Sequence, residues 1–467
     1  MGGGFHLLRD IAQFGAMLLM VRLLTPEDYG SAALAQSFIG LLSVVSFGTF
    51  SAHALQLREP ADIDWQAHFS AAFVINCLLF LLTLLAAWLL SSTQRYEAAA
   101  LPLAGFAVTF LVEIPGTLRH RMLETQHDWV RFRLLLIMGT VLGLGVGLAI
   151  AFLGGGVWAL VVQPPLFGLP AAIDLFWRGN WRPDFSWSWA RYRDTAFFGI
   201  NRMGSAAAFR GREAVQQTVM ATAYDFAALG VFTRAMGLAT LVAGRIGSVA
   251  TQALYPVVTR AEIRSEKFQR MAGIVLQGVC WTTLPAAAFF ALNANETVSL
   301  LYGEQWLSVV PLLPLAVMGV AFNGIAATLS SLLLANNEAR LCLIIDITGA
   351  MIAVGLALWL VPTGIITYLA ALAMLGLVIL MVLLAALAKT NGVSGKAIKA
   401  AFLPSIVACS VASVTIEIVR YLVEGSYPMV VQLIIGAGVF AAVYILVLRV
   451  AFASSMRALI EIAPGAQ

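Results

Sequence analysis

Apolar stretches the length of a membrane crossing follow one another along nearly the whole of this 467-residue chain, with connecting loops no longer than about 20 residues. A helix needs roughly 20 apolar residues to cross about 30 Å of hydrocarbon. Inside a bilayer the backbone must satisfy its own N–H and C=O groups, so such stretches have to be helices or closed barrels, and stretches this long are helices. Spans are placed near 6–24, 30–55, 67–90, 98–118, 133–153, 155–177, 194–221, 226–256, 268–291, 309–335, 341–361, 363–388, 399–422 and 428–453. The chain is 60% hydrophobic and 11% charged, where soluble domains carry about 25% charged residues. A soluble globule is excluded, and the expected fold class is an all-α polytopic membrane protein of about 14 transmembrane helices.

The loops alternate in charge. One set holds Arg58; Arg119, Arg121, Arg131 and Arg133; Arg178, Arg182, Arg191 and Arg193; Arg260, Arg264, Lys267 and Arg270; Arg340; Lys389, Lys396 and Lys399; and Arg457. The other holds only Arg95, with Glu27, Asp28, Asp225, Glu296, Glu304 and Glu424. By the positive-inside rule the first set is cytoplasmic, which puts both termini inside and requires an even number of spans. The first apolar stretch carries Arg9 and Asp10 and no small-residue cleavage site, so it is expected to be retained as the first span. Trp65, Trp158, Trp181, Trp187 and Trp189 fall near the expected interfaces, where tryptophan forms an aromatic belt. Cys77, Cys280, Cys342 and Cys409 each stand alone in an apolar segment, which implies neither a disulfide framework nor a metal site. A net charge of +4 without a Lys/Arg-rich run gives no footprint for nucleic acid.

A repeat is written into the helix caps. Thr25-Pro26-Glu27-Asp28-Tyr29-Gly30 is helix-start chemistry, with Thr as N-cap, Pro at the first helical position and acids in the first turn. Moving 197 positions along the chain gives Thr222-Ala223-Tyr224-Asp225-Phe226, and Gly40 falls on Gly237. Six spans separate the two caps, so the halves share one orientation and would be related by an axis along the membrane normal. The expected organisation is a six-helix lobe over 1–190, a second over 191–390 and an appended helix pair with a tail over 391–467. Gly154-Gly155-Gly156, Asn336-Asn337 and Pro362-Thr363-Gly364 suit tight helical hairpins.

The costly residues are Arg202, Arg210, Arg212, Arg234 and Arg245, which lie inside the seventh and eighth spans. An arginine at mid-bilayer costs roughly 2.5 to 3.5 kcal/mol on insertion scales and faces a protein interior or a water-filled cavity. Arg234 and Arg245 are 11 residues apart, which on an unbroken α-helix places them within about 20° of one face and about 16 Å apart. Arg202 and Glu213 share that spacing on span seven, with Arg210 and Arg212 between them, and Arg9 and Gln13 lie one turn apart on span one. A guanidinium fork suits phosphate oxygens, so these residues are the candidate binders of a diphosphate or other anionic head group. The cheaper alternative is packing: Arg210 and Glu213 at i,i+3 can neutralise each other. Asp10 and Glu213 are the candidates for ion coupling. Asp346, Asp174 and Glu113 are expected in interfacial or capping roles toward the cytoplasmic ends of their helices, and Glu417 in a pair with Arg420.

The run Val21-Arg22-Leu23-Leu24-Thr25-Pro26-Glu27-Asp28-Tyr29-Gly30 resembles the N-terminal signature of Wzx-type polysaccharide flippases of the multidrug/oligosaccharidyl-lipid/polysaccharide exporter superfamily. Phe232-Thr233-Arg234-Ala235, Leu254-Tyr255-Pro256-Val257, Leu301-Tyr302-Gly303-Glu304-Gln305-Trp306 and Leu334-Ala335-Asn336-Asn337 resemble later segments of the same family, in order, over about residues 6 to 390. The resemblance implies an inner-membrane transporter, without a cofactor. It would move undecaprenyl-diphosphate-linked oligosaccharide units for exopolysaccharide, capsule or O-antigen synthesis by alternating access. Spans one, two, seven and eight would line the cavity between the lobes. Membrane lipids and the polysaccharide polymerase machinery are the further partners implied, and no catalytic residues. A cation-coupled multidrug exporter of the same superfamily would need buried carboxylates facing a cationic drug, whereas the deep charges here are mainly arginines. A membrane polysaccharide polymerase or ligase would need a sizeable external loop with catalytic groups.

Overall fold

The structure, a computed structural model, describes residues 2–46, 63–179, 181–185, 189–244, 265–335, 338–391, 393–423 and 427–460. The long helices, in chain order, are α1 (Gly2–Leu23), α2 (Pro26–Leu42), α3 (Trp65–Ser91), α4 (Glu97–Thr125), α5 (Trp129–Phe152), α6 (Trp158–Trp177), α7 (Trp189–Ala223) and α8 (Phe226–Gly244), then α9 (Glu266–Leu292), α10 (Leu313–Ala335), α11 (Ala339–Leu360), α12 (Ile365–Asn391), α13 (Gly395–Val423) and α14 (Met429–Ala451). Each of these helices overlaps one expected span. Among the described residues 11 helices are long and apolar enough to cross a membrane. The three that fall outside that measure are α1, α2 and α7, so the structure shows an all-α, polytopic membrane protein and does not by itself reach the expected count. No strand occurs among the described residues.

Local sequence explains where the helices begin. Asp64, Asp128 and Ser265 precede α3, α5 and α9, and their side chains accept hydrogen bonds from the backbone N–H groups of Ala67, Arg131 and Phe268. Between α5 and α6 the chain turns through Gly154 and Gly156, at φ 76° and 52°, a region open to glycine at no steric cost. Thr25 and Asp28 close a capping box at the start of α2. The Thr25 hydroxyl accepts from the Asp28 N–H at 3.2 Å, and the Asp28 carboxylate accepts from the Thr25 N–H at 2.9 Å.

The same geometry recurs at α8 in a different register. Asp225, not Thr222, stands immediately before α8, and its carboxylate accepts from the Ala228 N–H at 2.7 Å. Asp225 is therefore the partner of Thr25 rather than of Asp28. In both places one helix ends (Leu23, Ala223), two residues turn, and the next helix starts (Pro26, Phe226), which makes the structural offset 226 − 26 = 200 rather than 197. Gly30 and Gly230 verify it by contact. A Cβ on Gly30 would lie 1.7 Å from the Phe226 carbonyl oxygen, and one on Gly230 would lie 1.8 Å from that of Pro26. The two helix starts thus cross backbone to backbone, each through its own glycine.

The chain divides into two compact units, residues Met1–Gly230 and Val231–Gln467. In the first, α4 packs against α2, α3 and α6, and α5 packs on α6. Its core is assembled from Ala32, Ala35, Ala87, Leu103, Phe106 and Val161, with a second cluster around Phe69, Ile114, Leu118 and Leu175. In the second unit α10 packs against α9 and α12, and α11 on α12, repeating the α4 arrangement. The terminal pair, expected as an appendage, is built into this unit. Its residues Ala408, Ala412, Ile416, Phe440, Tyr444 and Leu448 belong to the same core as Phe268, Leu276, Leu329 and Leu383. Tyr444 donates from its buried hydroxyl to the Trp281 carbonyl at 3.0 Å, and Arg420 donates to the Asn293 side-chain oxygen at 2.8 Å.

Trp65 and Trp181 do more than sit at an interface. The linker before α7 is docked on the start of α3, with Trp181 5.0 Å and Phe185 5.7 Å from the Phe69 ring and the Gln66 amide donating to the Arg182 carbonyl. Arg95, the basic exception in its set of loops, also has a structural explanation. Its guanidinium reaches the Ala221 carbonyl in the last turn of α7, the negative end of that helix dipole, while the Tyr96 hydroxyl meets the Thr222 hydroxyl at 2.6 Å.

Candidate functional site

The described part of the expected site is centred on α7, a helix of 35 residues. Arg210 precedes its last residue, Ala223, by 13 positions, which is about 20 Å of helix and places it in the helix interior. On consecutive turns α7 carries Phe209, Arg210, Arg212 and Glu213. At about 100° per residue, Arg210 and Arg212 project to opposite sides of Phe209. Both guanidiniums lie over its ring, at 5.8 Å and 5.3 Å from the centroid, within the range of a cation–π contact.

Arg210 also donates to the Glu213 carboxylate at 3.1 Å, so the i,i+3 pairing foreseen as the packing alternative is formed. It does not consume the site. The side chains remain 45% and 36% exposed, which leaves the outer edge of the Arg210 fork open. Gly40 of α2 makes room for this guanidinium: a Cβ there would meet Arg210 Cδ at 3.6 Å and a terminal nitrogen at 3.7 Å. Arg212 makes no ion pair among the described residues. Gln13 is exposed on α1.

The other expected residues are placed less completely. Arg202 lies on α7, and Arg9 and Asp10 on α1, but their side chains are outside the described residues, as is all of Arg245. Arg234 is half-buried on α8 in the second unit, with its guanidinium beside Gly237. Its charge is also felt at Tyr302, in the connection between α9 and α10. Burial pushes the Tyr302 hydroxyl up to about 12, and the Arg234 charge draws it the other way. Tyr302 packs against Trp306, both fully buried. The one-face spacing of Arg234 and Arg245 rested on an unbroken α-helix. Residues Thr240–Gly244 form a π-helical turn between them, and Arg245 itself lies outside the described residues.

Sequence reasoning missed three polar clusters. Asp174 on α6 accepts from Arg119 of α4 at 2.7 Å and from Arg131 of α5 at 2.7 and 3.2 Å, tying three helices together in a buried ion triad. Asp174 is thus more than an interfacial residue. Glu113 stands 16 residues from the start of α4 (113 − 97) and 12 from its end (125 − 113), near mid-helix rather than at an end. There it accepts from the Ser46 hydroxyl at 2.9 Å and faces the Asn76 amide at 3.4 Å. Glu417 pairs with Arg420 as expected, but Arg420 also reaches Glu296, at 3.5 Å. Opposite charges in separate apolar spans were the available signal; which of them meet depends on helix packing.

Two units built on one packing scheme, together with a pair of crossed helix starts, make a fold shared with solved membrane transporters. The structure superposes on lipid II flippase MurJ in an inward closed conformation with a TM-score of 0.79, 14% sequence identity, and coverage of 97% of this chain and 99% of that one. An inward-facing multidrug resistance MATE family transporter of the MOP superfamily superposes at TM-score 0.59, 18% identity, and coverage of 81% and 96%. Within that fold the sequence is specific: residues 19–311 match the family described as polysaccharide biosynthesis protein, and the chain belongs to it. Among curated relatives, the succinoglycan biosynthesis transport protein ExoT of Rhizobium meliloti (strain 1021) is 23% identical over 323 residues, covering 67% of this chain and 64% of that protein. The teichuronic acid biosynthesis protein TuaB of Bacillus subtilis (strain 168) is 21% identical over 314 residues, covering 66% and 64%. The chain thus spans just under two thirds of the length of each of these two relatives.

Proposed function

We propose that this protein is an inner-membrane flippase, with both termini cytoplasmic, that carries lipid-linked oligosaccharide units of the undecaprenyl-diphosphate class across the bilayer by alternating access. It would hand them to polysaccharide polymerase machinery. The observation that carries the reading is the guanidinium pair of Arg210, exposed, and Arg212, half-buried, in the interior of a long helix of a polysaccharide biosynthesis family member. Arginines so placed cannot face hydrocarbon and call for a wet, protein-lined path. In such a path charge-assisted, bidentate bonds to phosphate oxygens are among the strongest available. Arg202, Arg234, Arg245, Arg9 and Gln13 are proposed as further contacts along the path, and Asp10 and Glu213 as its ion-coupling groups. Translocation makes and breaks no covalent bond, so the protein is proposed as a transporter and not an enzyme.

The test is polymer export in cells carrying Arg210→Ala, Arg212→Ala or both, with protein amounts checked by immunoblot. Each single change is expected to lower export severely, and the double change to abolish it while lipid-linked units accumulate on the cytoplasmic leaflet. Lysine, which keeps charge but loses the planar fork, should restore part of the activity. Normal export by the double variant at normal abundance would sink the proposal.

A further inference from the structure

Phe209 is an exposed aromatic residue set between two cations. Its side chain is 54% exposed, at the same depth as two arginines, and the arc of helix surface running from Arg212 through Phe209 to Arg210 carries a cation at each edge. An apolar anchor in lipid would not be bracketed by charges, because each guanidinium would be drawn into hydrocarbon with it. The ring is instead in contact with both cations.

We infer that Phe209 is a positioning residue of the anion site: its ring holds the Arg210 and Arg212 guanidiniums apart, on either side of itself, ready to take the two phosphates of a lipid diphosphate. The inference rests on the reading of Arg210 and Arg212 given above. Two cations drawn to one ring repel each other, and arginine has a long, rotamer-rich side chain whose ordering opposes binding. The electron-rich faces of an aromatic ring attract a cation, so the ring restrains both side chains without neutralising either. A carboxylate does the opposite. Glu213 holds Arg210 by charge, and a phosphate has to compete with it, whereas Arg212 is held by the ring alone among the described residues. The register of the repeat supplies an independent contrast. At an offset of 200, Phe209 is the counterpart of Arg9 and Arg210 the counterpart of Asp10, so the ring and its bracketing arginines belong to one half only.

The experiment uses the full chain in lipid nanodiscs, with farnesyl diphosphate as the probe and farnesol as the uncharged control, titrated calorimetrically. Phe209→Leu keeps apolar bulk at an exposed site and removes the π face; Phe209→Tyr and Phe209→Trp keep the face. Loss of two exposed cation–π contacts is expected to weaken farnesyl diphosphate binding roughly tenfold in the Leu variant. The Tyr and Trp variants should stay within about twofold of the parent, and farnesol should bind all of them alike. If Leu binds the diphosphate as tightly as Phe while the Arg210→Ala, Arg212→Ala double variant is weakened, the positioning role is wrong and the anion site stands. If the double arginine variant binds as tightly as the parent, the anion site is wrong and the role of Phe209 goes with it.

Discussion

Replacing Gly30 and Gly230 by alanine, singly and together, tests the crossing of α2 and α8 by its energetics. A Cβ at Gly30 would stand 1.7 Å from the Phe226 carbonyl oxygen and 2.6 Å from its carbon; at Gly230 the corresponding distances to Pro26 are 1.8 and 2.7 Å. Real Cβ atoms essentially never approach closer than 3.0 Å, so the Gly30 methyl alone requires the backbones to part by at least 3.0 − 1.7 = 1.3 Å. The obstacle is main chain at the first turn of a helix, with no flexible end to swing away. Overpacking costs about 1–3 kcal/mol, and a rigid obstacle puts each single variant near the top, at about 3 kcal/mol. The two methyls, however, press on one and the same separation. Once the helices have parted for the first, the second finds room, and the double variant should lose about 4 kcal/mol rather than 6, a coupling of about 2 kcal/mol. The assay is reversible unfolding of the purified protein in mixed micelles, titrated with a denaturing detergent and arranged as a double-mutant cycle. Additivity within about 0.5 kcal/mol would refute the shared crossing, and so would single variants as stable as the parent.

Two other perturbations probe the groups that hold each unit together. Asp174→Asn removes the only anion of a triad in which Arg119 and Asp174 are each 7% exposed. Breaking such a pair strands the buried Arg119 guanidinium at a cost of about 3–5 kcal/mol, so the variant should show a clear loss of thermal stability, largely recovered when Arg119→Leu and Arg131→Met are added. Alkaline titration reads out Tyr302. Its hydroxyl holds its proton more tightly folded, at about 12, than the free side chain does, at 10.0. The stability this contributes is fully present below pH 10 and is lost as pH rises from there toward 12. Between pH 9.5 and 11.5 the thermal midpoint should therefore fall more steeply for the parent than for Tyr302→Phe, and equal slopes would refute the assignment.

The spans were legible because a bilayer leaves the backbone one choice and the apolar lengths report it directly. The cap at Thr25 was legible for a similar reason, since Thr, Pro and Asp each fill a position that few residues fill as well. The register of the second cap was not, because aspartate serves equally at the N-cap, where its oxygen takes an orphan N–H, and three residues later, where it favours the helix dipole and completes a capping box. Thr222-x-x-Asp225 copies the letters of Thr25-x-x-Asp28 while Asp225 does the work of Thr25. The matching helix boundaries and the contact of Gly30 with Gly230 decide between the two readings. The three-residue correction changes the chemistry of the comparison. At an offset of 197 the counterpart of Arg210 would be Gln13, a neutral residue, and the first half would look merely poorer in charge. At 200 the counterpart of Arg210 is Asp10, that of Glu213 is Gln13, and that of Phe209 is Arg9. A cation in one helix stands where its equivalent carries an anion. Arg9 beside Asp10 leaves α1 neutral over these positions, whereas Arg210, Arg212 and Glu213 leave α7 with one net positive charge (2 − 1), so the corrected register keeps the contrast in charge between the equivalent helices and moves it to different residues.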